Sequence, residues 1–365
     1  MKHIISKSCA DAQAYIVPFR AGSPRSVSIA PEMDAAIDLA INGSFGGNLG
    51  ETYAMTLPVG NKLTSIILLG LGADRLSVRD IHTKAAQAFK QAKQLGAKHV
   101  AIMLDQVSEL SESAELFGAL ARLPQLVGYT NSGLKSNPEN KSLEQIMFVT
   151  AADGLDAALS EAVATARGTI IARRLCNLRS NEQTPQSLAE DAAALGKEYG
   201  FDVQLFDKAA IEELGMESFL SVARGAHNTP PVLIVMRYLN GGDSPRIGLV
   251  GKGIVYDSGG YSIKTTPGMK NMFDDMGGAA AVIGAMTAVA DQKLKANVIG
   301  VIAACENKIA ADAYVPGDII GSMSGKTIEV ISADAEGRLT LADAVTYIQR
   351  KESCRFVADI ATLTG

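Results

Sequence analysis

The first half of the chain alternates short apolar runs with longer stretches in which apolar residues recur every three or four positions. Such runs are typical of buried strands, and such stretches are typical of helices. We predict strands at 62–72, 99–104 and 144–151, and helices at 81–95 and 112–123. This alternation predicts an α/β domain with a parallel sheet over residues 1–154.

The second half repeats this pattern after a long apolar-periodic stretch at 155–176, which we expect to be a helix linking two domains. Thr184 suits a helix N-cap, Pro185 suits the first helical position and Gly200 suits a helix end, so a helix is predicted over 185–199. The other predicted strands are 201–206, 232–238, 247–251, 297–304, 327–332 and 356–362, and the other helices are 277–291 and 340–350. We therefore predict a second α/β domain over 177–365, with helices on both faces of a central, mostly parallel mixed sheet.

Composition narrows the class of protein. The 365 residues are 47% hydrophobic and 20% charged, as in globular proteins with a large core, and the net charge of −5 gives no reason to expect nucleic acid or an acidic membrane as a partner. We find no apolar segment of signal-peptide or membrane-spanning length. The four cysteines lie far apart without CxxC spacing, which is typical of reduced thiols in a cytoplasmic protein. Since three of the four histidines precede residue 100, any active site in the last third must work without histidine.

Two glycine-rich motifs resemble nucleotide-binding loops but do not match the residue spacing that such loops require. LGLGAD (69–74) has Arg75 where a dinucleotide-binding fingerprint needs its third glycine. GSMSGKT (321–327) is one residue short of a phosphate loop and leads into a strand pattern rather than a helix, so we interpret it as a hairpin-like turn.

Three segments of the second half are polar where a core-facing α/β unit should be apolar. They are VGKGIVYDSGGYSIK (250–264), MFDDMGGAAAV (272–282) and SADAEGRLT (332–340). The four glycines of the first segment allow close backbone approach and positive φ angles. The charged residues of the three segments are Lys252, Asp257, Lys264, Asp274, Asp275, Asp334, Glu336 and Arg338.

Each segment taken alone also has a simpler explanation. Paired aspartates at a helix start are favoured by the helix dipole, and a lysine after a strand is usually a surface residue. In an extended chain, however, residues two apart point to one side, so we expect Asp334, Glu336 and Arg338 to share a direction. Ligands of open α/β sheets bind beyond the carboxyl ends of strands, where we expect the segments to converge in one cleft.

Charge counting indicates what such a cleft would bind. Four carboxylates, those of Asp257, Asp275, Asp334 and Glu336, sum to −4 and would raise one another's pKa values if packed without compensation. Two divalent cations would cancel this charge, and an oxygen-rich site suits magnesium, manganese or, less obviously, zinc. Lys264 and Arg338 would then leave the site positive, ready for an anionic intermediate.

At this point the residues are recognisable. The motifs VGKGIVYDSGGYSIK, DDMGGAAAV, ENKIAADAYVPGD, SADAEGRL and DIATLTG closely resemble those of the cytosolic leucyl aminopeptidase family of metal-dependent exopeptidases. The resemblance covers the whole second half and is weak over the first half. It implies a two-metal site in which Asp257 and Glu336 bridge both ions, Asp334 serves one ion, and Lys252 and Asp275 serve the other. Lysine ligates only as a neutral amine, so its pKa would have to be depressed.

The resemblance also implies a reaction, the hydrolysis of the N-terminal peptide bond by metal-activated water. One metal would take the α-amine of the substrate, Lys264 would polarise the carbonyl, and Arg338 would hold a bicarbonate ion as proton shuttle. The residues similar to substrate-contacting positions are Met272, Thr362, Leu363 and Gly365. Apolar N-terminal residues such as leucine, two Mn²⁺ or Zn²⁺ ions and a homohexamer are expected on the same ground.

Two departures from the family pattern bear on these expectations. Ser332 and Ala333 replace an Asn-Thr pair, and such a change near metal ligands can cost about 10–100-fold in affinity or activity. The sequence stops at Gly365 within a motif that the family continues, so we expect a fragment, a processed product or a broken chain. The alternatives are a two-metal phosphoesterase and a catalytically weakened structural or regulatory homologue.

Overall fold

A computed structural model describes residues 1–8, 12–131 and 141–364, so Cys9 and Gly365 lie outside the described residues. The chain divides into two compact units, Met1–Ala166 and Arg167–Gly365. The division falls within a helix, Asp156–Asn177, that was predicted at 155–176. The domain bounds expected from the sequence, 1–154 and 177–365, stay a prediction.

The first unit contains a six-stranded sheet in the order β1-β6-β5-β2-β4-β3. All neighbouring strands are parallel except β3 and β4. The strands are β1 Lys2–Ser6, β2 Ala14–Phe19, β3 Thr52–Val59, β4 Lys62–Gly70, β5 His99–Met103 and β6 Gln145–Val149. The three predicted strands correspond to β4, β5 and β6, whereas the first three were missed.

Helices cover both faces of this sheet. Ile67 and Leu69 of β4 belong to one apolar core, and Ile66 and Leu68 belong to another on the opposite face, because successive side chains of a strand alternate. The helices of the unit are α1 Pro31–Ile41, α2 Val78–Asp80, α3 Ala86–Gln94, α4 Glu109–Glu112 and α5 Ala114–Gly128, with a π-helical turn at Ile81–Ala85. The long helix Asp156–Asn177 is α6.

The second unit contains a five-stranded mixed sheet in the order β13-β9-β10-β8-β7. The neighbours β13, β9 and β10 are parallel, whereas β10, β8 and β7 are antiparallel. The strands are β7 Asp202–Phe206, β8 Val232–Leu239, β9 Arg246–Asp257, β10 Asn297–Asn307, β11 Ile319–Ile320, β12 Ile328–Glu329 and β13 Phe356–Ile360. The sequence therefore located every strand of the main sheet, but it ended β9 six residues early.

One predicted strand is wrong in its extent and partner. The apolar run at 327–332 forms only the two-residue strand β12, which pairs with β11 outside the main sheet. The intervening residues 321–327 form the turn of this antiparallel pair, with Gly325 at φ 86°, which confirms the hairpin-like turn. The strand is short because the chain bends at residue 331 toward the polar segment that follows.

Two helices of the second unit, α7 and α11, have the bounds that the sequence predicts. Thr184 caps α7, its side chain accepts a hydrogen bond from the Ser187 amide, and Gly200 ends the helix at φ 87°. The helices are α7 Pro185–Tyr199, α8 Lys208–Glu213, α9 Glu217–Ala223, α10 Thr266–Met269, α11 Gly277–Asp291 and α12 Glu336–Arg350. Helix α12 begins four residues before the expected residue 340, and the short helices α8, α9 and α10 were missed.

These two helices, α11 and α12, position the site. The buried residues of α11 and α7 share one core, and those of α12 and α9 share the core on the opposite face of the sheet. The first turns of both helices lie near the carboxyl edge of the parallel strands, Gly278 against the carbonyl of Ile360 and Gly337 against Lys252, where ligands bind in open α/β folds. Within the described residues, no helix combines the length and apolar character needed to cross a bilayer.

Candidate metal centre

An open cleft of about 400 Å³ lies at the carboxyl ends of β9 and β13, beside the first residues of α11 and α12. All three polar segments identified in the sequence contribute to it. The cleft is lined by Lys252, Asp257, Lys264, Met272, Asp274, Asp275, Asp334, Glu336, Thr362, Leu363 and Thr364. The convergence expected from the sequence is therefore observed for every candidate lining residue that the structure describes, with the exception of Arg338.

Strand β9 supplies the innermost side chains. Lys252 lies inside the strand and Asp257 is its last residue, and both are 2% exposed. The backbone then turns sharply through Gly259 (φ 85°) and Gly260 (φ 57°), a conformation that glycine adopts without strain. This turn directs the rest of the segment back toward the cleft and brings Lys264 to its wall.

Lys252 occupies the centre of a buried charge cluster. Its Nζ lies 2.7 Å from Asp275 Oδ2 and 2.8 Å from Glu336 Oε1, and it donates a hydrogen bond of 2.7 Å to the carbonyl oxygen of Thr362. Burial alone would lower the pKa of Lys252, but the carboxylates of Glu336 and Asp275 outweigh it and raise the pKa. The two carboxylates therefore stabilise the ammonium form of Lys252.

Asp275 does not act as a helix cap. Helix α11 begins at Gly277 and has no side-chain cap, whereas Asp275 Oδ1 accepts hydrogen bonds of 2.8 Å from Lys252 and from the Thr362 hydroxyl. Burial raises the pKa of Asp275 to about 7, although the neighbouring ammonium of Lys252 opposes the shift. The simpler explanation of Asp275 as a helix-start residue is therefore not supported.

Lys264 joins the first and third segments. Its Nζ lies 2.9 Å from Asp257 Oδ2 and forms a closer ion pair with Asp334. Partial burial opposes the charged form of Lys264, but the hydrogen bonds to the two aspartates raise its pKa well above the usual value. Burial also raises the pKa of Asp334, and the charge of Asp257 adds to that shift. The Lys264 side chain is 18% exposed and lines the cleft, so it remains within reach of a molecule there.

The expected alignment of Asp334, Glu336 and Arg338 is wrong. Glu336 is the first residue of α12, and side chains two apart on a helix lie about 200° apart rather than on one side. Glu336 is accordingly 2% exposed inside the cluster, whereas Arg338 is exposed and does not line the cleft. Among the described residues, no hydrogen bond or ion pair partner of the Arg338 side chain is found.

Gly337, the residue between Glu336 and Arg338, packs directly against Lys252. A Cβ added to Gly337 would lie 2.6 Å from Lys252 Cε and 2.9 Å from Leu363 Cδ1. The first turn of α12 can approach the Lys252 side chain only because residue 337 has no side chain.

The loop before α12 is held by residues that the sequence reasoning did not single out. The Ala333 amide donates to Ser262 Oγ at 3.0 Å, and the Ala333 carbonyl accepts from Asn307 Nδ2 at 2.9 Å and from the Tyr314 hydroxyl at 2.7 Å. The Ser332 hydroxyl accepts from the Asp334 amide at 3.2 Å. Ser262, Asn307 and Tyr314 lie within the quoted motifs, and that was the only signal that could have found them.

The residues expected to contact substrate are brought together as far as they are described. Met272, Thr362 and Leu363 line the cleft, and they are joined by Asp274 and Thr364, to which no binding role was assigned from the sequence. Gly365 lies outside the described residues.

The cluster fits divalent cations on its own chemistry. One oxygen each from Asp257, Asp334 and Glu336 lie within 4.8 Å of one another. Within the described residues, Asp275 Oδ2 and Glu336 Oε2 are buried and accept no hydrogen bond, although Oδ2 lies near Lys252. Four carboxylates face two ammonium groups, a net of −2, which added cations would offset. Carboxylate oxygens suit hard divalent ions, and a neutral lysine amine would add one nitrogen ligand.

Comparison with known proteins agrees with this geometry. A sequence profile described as the catalytic domain of the cytosol aminopeptidase family matches residues 170–365, and one described as its N-terminal domain matches residues 34–138. A probable cytosol aminopeptidase of Clostridium perfringens is 41% identical, with 99% of this chain and 75% of the relative covered. A probable cytosol aminopeptidase of Fusobacterium nucleatum is 42% identical, with 88% of this chain and 65% of the relative covered.

A solved structure extends the likeness to the fold. The bottromycin maturation enzyme BotP in complex with Mn superposes with a TM-score of 0.82 at 26% sequence identity, covering 97% of this chain and 73% of that protein. The chain thus spans between about two thirds and three quarters of the length of these relatives. With a profile that matches more than half of its residues, and with relatives above 40% identity along most of its length, the chain belongs to the cytosol aminopeptidase family.

Proposed function

We propose that this protein is a metal-dependent aminopeptidase that hydrolyses the N-terminal peptide bond of peptides. Family membership supports the class of enzyme, a metallo-exopeptidase. The observation that carries the proposal is the cluster of four carboxylates and two lysines at the carboxyl edge of the second sheet, with a net negative charge and a buried Glu336 Oε2 that accepts no hydrogen bond from a described residue.

Five side chains would hold two divalent ions. We assign Asp257 and Glu336 as bridging ligands, Asp334 to one ion, and Lys252 with Asp275 to the other. Mn²⁺, Zn²⁺ and Mg²⁺ are the candidate ions, and the related BotP structure contains Mn. When bound, such a pair of ions lowers the pKa of water, so that hydroxide is available as a nucleophile at neutral pH, and it polarises a carbonyl group. Lys252 must lose its proton to ligate, so the protein would release that proton on metal binding.

Lys264 is proposed to stabilise the reacting carbonyl. Its ammonium is held by Asp257 and Asp334 at the cleft wall and stays protonated because its pKa is raised. A fixed ammonium can donate a hydrogen bond to the substrate carbonyl oxygen, and this bond strengthens as negative charge develops there. The two aspartates thus position Lys264 while leaving part of its surface open to the cleft.

Arg338 is proposed to hold a bicarbonate ion that accepts and returns a proton. The support is the family resemblance, the position of Arg338 on the same helical turn as Glu336, and its exposed guanidinium. A planar guanidinium binds a carboxylate-shaped anion through two parallel hydrogen bonds. This arrangement would provide a base at a site whose lining contains no histidine among the described residues.

The substrate pocket is proposed to accept apolar N-terminal residues such as leucine. Met272, Thr362 and Leu363 offer methyl and thioether surface to the cleft, and Gly365 is added from the resemblance. Requirement for a free α-amine, bound by one of the ions, would restrict the enzyme to chain ends. Peptides are therefore the proposed partners.

The wider context is proposed from the resemblance. We expect a homohexamer, a cytoplasmic location as the relatives' names indicate, and a catalytic domain over 177–365 joined through 155–176 to an N-terminal domain over 1–154. Light scattering on the purified protein tests the hexamer.

The decisive experiment is hydrolysis of leucyl-4-nitroanilide by metal-stripped full-length protein before and after addition of Mn²⁺, Zn²⁺ or Mg²⁺. We expect release only when metal is restored. No release with any of the three ions would contradict the proposal, and release from 4-nitrophenyl phosphate alone would favour phosphoester hydrolysis.

A further inference from the structure

Two neighbouring aspartates enter the cleft, and only one of them belongs to the charge cluster. Asp275 is 4% exposed and bonded to Lys252 and Thr362. Asp274 also lines the cleft but is only half-buried, and no hydrogen bond or ion pair of its carboxylate to another described residue is found. An unpaired carboxylate that faces a binding cleft is available to a ligand.

Helix capping does not account for Asp274. Helix α11 starts three residues later, its N-cap is Met276, and no side chain caps it. Asp274 ends a short 3₁₀ turn that begins at Met272, and both side chains line the same cleft. The turn therefore presents a thioether and a carboxylate to one space.

Arg179, the cation packed on this turn, does not neutralise Asp274. Its guanidinium lies over the ring of Phe273, 3.9 Å from the ring centroid, and forms no ion pair with Asp274. Burial raises the pKa of the Cys176 thiol, and the negative charge of the Asp274 carboxylate adds to this shift. The negative charge of Asp274 thus acts on its surroundings without a bonded counter-ion among the described residues.

We propose that Asp274 determines specificity and extends the substrate class to peptides with an N-terminal lysine or arginine. This inference rests on the proposed aminopeptidase function. The aliphatic stem of a lysine or arginine side chain can lie against Met272 and Leu363 while its cationic end reaches Asp274. A leucine side chain uses only the apolar part of the same surface.

The test compares substrates that differ in one charge. Lysyl- and norleucyl-4-nitroanilide share a straight four-carbon stem, but only lysine ends in an ammonium group. We expect Asp274→Asn to lower the lysyl-to-norleucyl ratio of kcat/KM about fivefold, as for an opposite-charge contact at a partly exposed site. Asp243→Asn, an exposed residue outside the cleft, makes the same charge change and should leave the ratio unchanged.

Equilibrium binding provides a readout that does not need turnover. Calorimetry with the free amino acids lysine and norleucine, which have no bond to hydrolyse, should show that Asp274→Asn removes an affinity difference that the wild type and Asp243→Asn retain. An unchanged difference would overturn the inference. Equal losses for both amino acids would also overturn it, because Asp274 would then bind the α-amino group common to both.

The two proposals fail differently. Absence of metal-restored hydrolysis of both anilides would contradict the aminopeptidase function. Hydrolysis of both with a ratio insensitive to Asp274→Asn would contradict only the specificity inference.

Discussion

Asp257 and Asn307 end two adjacent parallel strands as register partners, and the side-chain amide of Asn307 ties them together. Asn307 Nδ2 donates to Asp257 Oδ1 at 2.8 Å and to the carbonyl of Ala333 at 2.9 Å, and the residue is fully buried. One amide therefore sets the spacing between a proposed bridging ligand and the loop that carries Asp334.

Asn307→Ala should weaken Mn²⁺ binding about 10–100-fold, because the partners that orient metal ligands contribute on that scale. Isothermal calorimetry measures this. Asn297→Ala is the matched control, since Asn297 is also buried on β10 but bonds to Gly242 and Ser244 at the opposite end of the strand. Equal Mn²⁺ affinity in the two variants would contradict the positioning role.

Asp334→Ala should lower kcat/KM by about 100-fold or more without unfolding the protein, because the metal site would lose a ligand. The Asp334 side chain is 33% exposed and forms an ion pair with Lys264 at the cleft wall. Asp343→Ala should do the reverse and destabilise the fold by about 1–3 kcal/mol, because its buried carboxylate accepts the amides of Phe219 and Met323. Thermal unfolding beside activity separates the two, and unfolding of Asp334→Ala would make that residue structural.

Gly337→Ala should lower stability by about 1–3 kcal/mol and impair Mn²⁺ binding, since its Cβ would fall 2.6 Å from Lys252 Cε. Lys252 cannot yield without losing its contacts to Asp275 and Glu336. Gly118→Ala in α5 is the control, because the added Cβ would contact only the carbonyl oxygen of Ala158, at a distance of 3.9 Å. Chemical denaturation and calorimetry report both effects, and a Gly337→Ala protein with normal Mn²⁺ affinity would refute the argument.

Mn²⁺ should stabilise the protein, by about 2.7 kcal/mol at a hundredfold excess over Kd, through its binding to the folded state alone. Asp275→Asn should lose most of this gain. In EDTA the variant should be as stable as the wild type or more so, because it removes one of four carboxylates that face only two ammonium groups. Asp243→Asn should keep the full response in thermal unfolding. A full response in Asp275→Asn would argue against that residue as a ligand.

Ala333→Thr, which restores the family's residue, should destabilise the protein by about 1–3 kcal/mol through overpacking. Ala333 is fully buried, and even a Cβ added at Gly260 would come within 3.1 Å of its methyl group. Ser332→Asn, at the half-buried neighbouring position, should change stability by less than about 0.5 kcal/mol. Denaturant unfolding tests the pair, and a stable Ala333→Thr protein would show that the loop has room to adjust.

The sequence by itself determined the α/β class, every strand of the second sheet and the exact bounds of α7 and α11. Apolar periodicity and local capping signals suffice for these, because they depend on residues close together in the chain. It also identified the residues of the charge cluster, since four carboxylates and two lysines are too costly to place among core-facing segments without a purpose. The edge strand β3 was missed because most of its side chains are exposed and leave no apolar run.

Only the tertiary structure decided the directions of the side chains. The sequence treated Asp334, Glu336 and Arg338 as one extended edge, but α12 begins at Glu336 and turns Arg338 outward. Packing of the first turn against Lys252 favours the helix there, with Gly337 at the contact. Likewise, the bonds of Asn307 and Asp275 join segments 23 to 87 residues apart along the chain. Contacts of this kind arise only when the strands pair, so no local pattern of residues could have revealed them.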